Sequence, residues 1–167
     1  MHPQARTYIE KLQLKKHPEG GYFREVYRSG EIILTVYLPE RYKKPKVFST
    51  SIYFLLEGNQ FSAFHLLQSD EIWHFYDGST ILIYIINQKG DLSIKKLGKA
   101  KDSEFQITIG KQNWFAAEVE NKKSFALFGC TVSPGFEFED FDLGKREILL
   151  KKFPQHKSLI ERLTKLS

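Results

Sequence analysis

From Ser62 to Gly78 the chain reads Ser62-Ala63-Phe64-His65-Leu66-Leu67-Gln68-Ser69-Asp70-Glu71-Ile72-Trp73-His74-Phe75-Tyr76-Asp77-Gly78. A strand carrying His65, a short turn and a second strand opening on Glu71 set an imidazole and a carboxylate near one another on a hairpin. That pair suits proton transfer, with His65 as general base or acid and Glu71 orienting it or acting as its complement. The same two groups would supply two of the roughly three protein ligands a catalytic metal needs, with His74 the nearest third. Strand alternation sorts these side chains. If His65 faces inward, so do Phe61, Ala63 and Leu67; if Glu71 does, so do Trp73 and Phe75, which leaves His74 with Ile72 and Tyr76 on the other face. A carboxylate beside Trp73 and Phe75 must pair, bind a cation or take its pKa upward by desolvation. Tyr53, Trp73, Phe75 and Trp114 are candidates to stack on a ring-shaped ligand, with core packing as the ordinary alternative. Arg24 is a candidate clamp for an anionic ligand, or else one half of an ion pair with a strand neighbour.

The elements that must position these groups are short. Pro3, Ala5, Tyr8, Ile9 and Leu12 have helical spacing with Pro in the first turn, which predicts an amphipathic helix over about 3–14. After His17-Pro18-Glu19-Gly20-Gly21 the pattern changes to brief apolar or alternating runs. Strands are expected at 22–28, 32–38, 51–56, 61–67, 72–76, 80–86, 92–96, 105–109, 114–118 and 125–132. Turn chemistry separates them, as in Glu57-Gly58-Asn59, Asp77-Gly78-Ser79 and Lys89-Gly90-Asp91. Such spacing belongs to an antiparallel sandwich or barrel over about 21–142 and leaves no room for parallel crossovers. Pro154 followed by Leu159, Ile160, Leu163 and Leu166 predicts a closing helix over about 154–166. Ile81 to Ile86 is apolar at both parities, so both of its faces need cover, one from the barrel and the other from a helix or a second subunit. A homodimer is expected on that ground.

With 167 residues, 41% hydrophobic and 27% charged, the chain excludes a disordered, collagenous or disulfide-framework protein and fits a single domain over 1–167. Its longest apolar run has strand length, far below the roughly 20 residues a membrane helix needs. The lone cysteine, Cys130, has no intramolecular partner, and Met1-His2-Pro3-Gln4 lacks a basic-then-apolar signal region, so a cytoplasmic home is expected. The net charge of +5 is carried by the two ends: residues 1–50 hold ten Lys/Arg against five Asp/Glu, residues 51–140 eight against twelve, and residues 141–167 seven against three. No recognition element combines clustered cations with interleaved exposed aromatics, so nucleic acid is not an expected partner.

The hairpin resembles the first motif of the cupin superfamily, in which histidines and a glutamate ahead of a glycine supply metal ligands inside a double-stranded β-helix, or jelly roll. The Glu71 to Gly78 half fits that motif, while only His65 stands in its histidine half, one residue further from Glu71 than the family's second histidine. The family's second motif should fall near Gly110 to Ala117, where Trp114 or Phe115 replaces its histidine. Four segments in order, His17 to Glu25, Ser49 to Leu56, Asp70 to Gly78 and Cys130 to Phe138, are similar to the cupin branch called cupin_5, over about residues 7 to 163. The resemblance implies an all-β jelly roll with short N- and C-terminal helices, and a homodimer.

Three functions follow as expectations. The first is a metal-independent isomerase or epimerase binding a small ring-containing ligand, carbohydrate-like or nucleotide-like, by analogy with the sugar-nucleotide epimerases of the jelly-roll class. His65 and Glu71 would be catalytic, with Arg24, Tyr53, Trp73, Phe75 and Trp114 binding the ligand. The second is a non-catalytic small-molecule-binding cupin. The third is a metal-dependent isomerase or dioxygenase using His65, Glu71 and His74; otherwise no cofactor is expected.

Overall fold

The computed structural model describes residues 1–165, and in it short alternating strands pair into two large antiparallel sheets and one two-stranded ribbon, Ile32–Ile33 with Lys46–Val47. In chain order, helix α1 (Pro3–Lys11) precedes β1 (Lys15–Lys16), β2 (Tyr22–Arg28), β3 (Ile32–Ile33), β4 (Lys46–Val47), β5 (Thr50–Glu57) and β6 (Phe61–Leu67). There follow β7 (Asp70–Gly78), β8 (Ile81–Ile86), β9 (Leu92–Leu97), β10 (Gln106–Ile109), β11 (Trp114–Val119), β12 (Phe125–Ser133) and β13 (Phe141–Leu143), then helices α2 (Arg146–Lys152) and α3 (Lys157–Arg162). One sheet runs β1-β2-β5-β12-β7-β10 and the other β13-β6-β11-β8-β9. The jelly-roll expectation is met.

Period-two alternation divides the apolar residues among three layers. Between the sheets, Phe54, Trp73, Phe115, Phe128 and the odd-numbered isoleucines of β8 form the main core. On the outside of the six-stranded sheet, Leu55 and Leu127 pack with Ala5 and Leu14 beneath α1. Outside the five-stranded sheet, Phe64, Tyr84, Ile86 and Trp114 pack with Leu149 of α2, Phe153 and Ile160 of α3. The second face of β8 is therefore covered by the chain's own C-terminal helices, and the two-sided apolarity that prompted a homodimer is satisfied within one chain.

Three element boundaries differ from the expectation. The run 32–38 is a strand only at Ile32–Ile33, then turns into a 3-10 helix at Thr35–Tyr37, because its sole strand partner is the two-residue β4. The N-terminal helix stops at Lys11, one turn early, since Gln13 takes a left-handed conformation (φ 54°) that reverses the chain towards β1. The closing helix is broken at the non-helical Phe153, whose ring is buried, so helical structure begins earlier, at Arg146, and resumes after Pro154. Leu166 lies outside the described residues.

One buried polar contact ties the segment before β5 to the chain after β12. The Lys46 ammonium, on a side chain 1% exposed, pairs with Asp140, and Tyr42 beside it bonds Ser69 Oγ at 2.8 Å. Removing one partner of such a pair strands the other charge, whereas replacing both is often close to neutral. We expect Asp140→Leu to lower stability by about 3–5 kcal/mol in urea unfolding, and the double variant Lys46→Met with Asp140→Leu to recover most of that loss.

Candidate functional site

Near one end of the main core the packing leaves a cavity of about 90 Å³, room for several waters or a small ligand. Its walls are apolar, with Phe54, Leu67, Val132, Phe136 and Phe141 among them. Its buried end is polar: Glu19, His65, Glu71 and Cys130 converge there, each at most 7% exposed.

Two backbone devices bring these groups in. The His17-Pro18-Glu19-Gly20-Gly21 loop lies hard against the sheets, and a Cβ at Gly20 (φ +125°) would sit 2.1 Å from the Phe61 carbonyl oxygen. Only glycine permits that approach, and it fixes Glu19 in place, with its carbonyl accepting from the Ala63 N–H at 3.0 Å. In β6, Ser62 and His65 both pair inward, opposite Ala117 and Phe115, with one more residue between them on β6 than on β11. This bulge corrects the parity expectation: Phe61 joins the outer core rather than sharing the face of His65, while Ser62 points to Glu19.

Glu19 is the hub. Its Oε1 accepts from Ser62 Oγ at 2.7 Å, and its Oε2 lies 3.3 Å from His65 Nε2 and 3.6 Å from His17 Nδ1. His65 Nδ1 is 2.8 Å from the Ala63 carbonyl, which can only accept, so this bond assigns the proton to Nδ1. The neutral ring then turns a bare Nε2 towards the Glu19 carboxyl, and these two acceptors can approach only by sharing a proton. Burial pushes the Glu19 carboxyl up and both His65 and His17 down from their ordinary values.

Glu71 stands opposite without a full set of partners. Burial raises its pKa to about 7 against the opposing pull of His65, with Glu19 adding to the rise. Its Oε2 has no hydrogen-bond partner, and neither has the neighbouring Trp73 indole N–H, which lies beside the carboxyl without hydrogen-bond geometry. Cys130 faces the same carboxyl, and burial followed by that neighbour keeps its thiol protonated.

The outer end is lined by charge. Arg28 grips Glu25 with Nε and Nη2 at 3.0 and 2.9 Å, reaches Glu137 with Nη1 at 2.6 Å, and also donates to the Phe136 carbonyl at 3.2 Å. A second bulge, at Val26 of β2, turns Arg28 onto the same side as Phe23 and Glu25.

Of the residues singled out from the sequence, His65 and Glu71 meet in the cavity, and none of the five ligand-binding candidates lines it. Arg24 alternates outward between Phe23 and Glu25 and donates to the Leu12 carbonyl at 3.2 Å. Tyr53 points outward beside Ile52 and Phe54, edge-on to Tyr76 at 5.9 Å. Trp73 does face the barrel, but its indole is stacked on Phe128 at 4.4 Å, and Phe75 packs against the same core. Trp114 belongs to the outer core under α2, while its neighbour Phe115 turns inward and touches the His65 ring at 4.0 Å. His74 lies on the outer face, 3.2 Å from Thr131 Oγ1. His17, Glu19, Glu25, Arg28 and Glu137 were missed as site residues, although His17, Glu19 and Glu25 sit in a family-like segment that could have drawn attention to them.

A cupin metal does not fit this donor set. His17 and His65 are directed at one oxygen of Glu19 rather than at a common vacant point, and His74 is on the far side of the sheet. Among the described residues no group of three or more His, Cys, Asp or Glu is arranged to hold an ion.

Two solved structures are similar to this chain over nearly its full length. An X-ray crystal structure of a protein from Shewanella oneidensis has 37% identity and a TM-score of 0.86, with 98% of each chain covered. A hypothetical protein from Leishmania major has 27% identity and a TM-score of 0.89, with 97% of this chain and 99% of that one covered. Oxalate decarboxylase from Bacillus subtilis shares the fold at 17% identity and a TM-score of 0.55, over 89% of this chain and 36% of its own. No curated protein matches. The family model described as Cupin_5, Cupin superfamily (DUF985), matches residues 6–144, and the chain belongs to that family.

Proposed function

We propose that the barrel binds a small ring-containing ligand and that Glu71 and His65 act on it as a proton-transfer pair, in the manner of a metal-independent isomerase or epimerase. Glu71 carries this reading. A carboxylate buried in an aromatic cavity with one oxygen unpartnered is costly to the fold and is accounted for by a ligand that donates to it. With a pKa of about 7 it is divided between its two forms at neutral pH, so it can take a proton from a bound ligand and return it. On the other side of the cavity, the Nε2 of His65 and Glu19 hold a shared proton that can be delivered to the ligand as Glu71 removes one. An exchange of this kind moves protons only and requires no redox partner.

Of the ring-containing ligands, the carbohydrate-like class suits the cavity better than the nucleotide-like one, because the donors of a sugar match Glu71 and the lining offers no vacant cation for a phosphate. The chain's binding partner in this reading also includes a second copy of itself. Val26, Tyr27, Ile32, Leu34, Val36, Tyr37 and Phe48 are all at least 45% exposed along a single stretch of chain, a concentration of apolar surface that association would cover.

The protonation of Glu71 gives a test that needs no substrate. Its native pKa of about 7 lies above the ordinary 4.5, so between these values the folded chain keeps a proton the unfolded chain has lost. Stability therefore falls as pH rises from about 4.5 to 7 and is level above, by a total of about 3 kcal/mol. Glu71→Gln should remove this fall and be more stable than the parent at pH 8 in urea unfolding; a variant less stable at pH 8 would show a structural partner for the carboxylate and defeat the reading. Native mass spectrometry of the purified protein should find a small molecule that is lost from both Glu71→Gln and His65→Ala, with metal content below a tenth of an ion per chain in all three by elemental analysis. Sedimentation should give a species near twice the chain mass of 19.5 kDa, and a single species at 19.5 kDa independent of concentration would exclude the homodimer.

A further inference from the structure

Four carboxylates line the cavity, Glu19 and Glu71 at its buried end and Glu25 and Glu137 at its outer end, and the one cationic side chain in the lining that is charged at all pH values is Arg28. The guanidinium is not free to receive a ligand. Its Nε and both terminal nitrogens already donate to Glu25, Glu137 and the Phe136 carbonyl. Lys165 is bonded to the Pro18 carbonyl and is not part of the lining. His17 and His65 are both engaged with Glu19. What the cavity presents without a partner is an acceptor, the Oε2 of Glu71, on a side chain 7% exposed.

Low-dielectric walls focus the field of such a lining, and the sign here is negative. An anion entering would have to break the Arg28 pairs at the outer end and then lie beside buried carboxyls. An ammonium or hydroxyl group would meet the vacant acceptor directly, while an apolar body would lie against the phenylalanines. Resting on the reading of this cavity as a ligand site, we infer that its ligands are selected by charge: a cationic amine or a neutral hydroxylated molecule on an apolar ring is accepted, and carboxylates and phosphates of the same shape are rejected.

A matched series separates shape from charge. Benzylamine, benzyl alcohol and benzoate carry one ring and differ in the group presented to Glu71. Affinities are measured at pH 8 by calorimetry on the full chain, with amide and methyl chemical-shift changes locating the site. The expected result is that benzylamine binds at least tenfold more tightly than benzoate, with benzyl alcohol between them and shifts centred on Thr50, Ile52, Leu67 and Val132. Glu71→Gln should bring amine and alcohol together, and Glu137→Gln, a substitution at the exposed outer end, should narrow the gap between amine and benzoate several-fold. Benzoate binding in the cavity as tightly as the amine would overturn the charge selection and leave the ligand site standing. Failure of all three to bind, or shifts confined to other surfaces, would overturn the ligand site and the charge selection together.

Discussion

A carboxylate surrounded by phenylalanine side chains has no water to solvate its charge, so it must share a proton, hold one or wait for a partner. Glu19 and Glu71 are under this constraint, and the architecture of the cavity follows from it. Glu19 shares a proton with His65 and takes a hydrogen bond from Ser62; Glu71 stays protonated through most of the acid range and keeps one oxygen vacant. Glu19 adds to the rise at Glu71, and the His65 imidazole is held low by burial and pulled up by Glu71. Glu71 and His65 therefore titrate as a linked pair, with Glu19 acting on Glu71 from beside them.

Holding that unit in hydrocarbon requires stability from elsewhere. The main core, the α1 layer and the layer beneath α2 and α3 supply it, and each is closed by side chains whose neighbours in sequence point the opposite way. Phe115 against His65 and Trp114 beneath α2 show the division, with adjacent aromatics serving the site on one face and the fold on the other. The outer end obeys the same electrostatics under milder conditions, where Arg28 between two glutamates is partly solvated and its pairs are correspondingly weaker.

Membership of the cupin family establishes the jelly roll, and the likeness to oxalate decarboxylase at 17% identity speaks to the fold alone. Function has to be read from the side chains in the cavity, because one fold carries many chemistries. In this chain His17 and His65 approach one carboxylate oxygen rather than a common metal position.

Local pattern alone determined the strand-rich architecture and the strand positions from β5 to β12, because alternation and turn residues act over a few positions. The expected hairpin is not formed, since β6 with His65 and β7 with Glu71 belong to opposite sheets and the short turn between them crosses from one sheet to the other. The same alternation placed Trp73 inward and His74 outward. Folding back of distant chain decided the rest. Glu19 reaches His65 from 46 positions away through a glycine loop pressed on β6, and nothing near either residue announces the contact. The bulges at Val26 and in β6 add one residue to one strand and so reverse parity, which carried Arg28 into the lining and Phe61 out of it. Tyr53 and Arg24 have the chemistry of ligand-binding residues, yet each lies one position from residues that face the cavity, and Trp114 lies one position from Phe115, which packs on the His65 ring. A side chain's type is written in its codon, while the face it occupies depends on strand register across the whole sheet, and register is a property of the assembled fold.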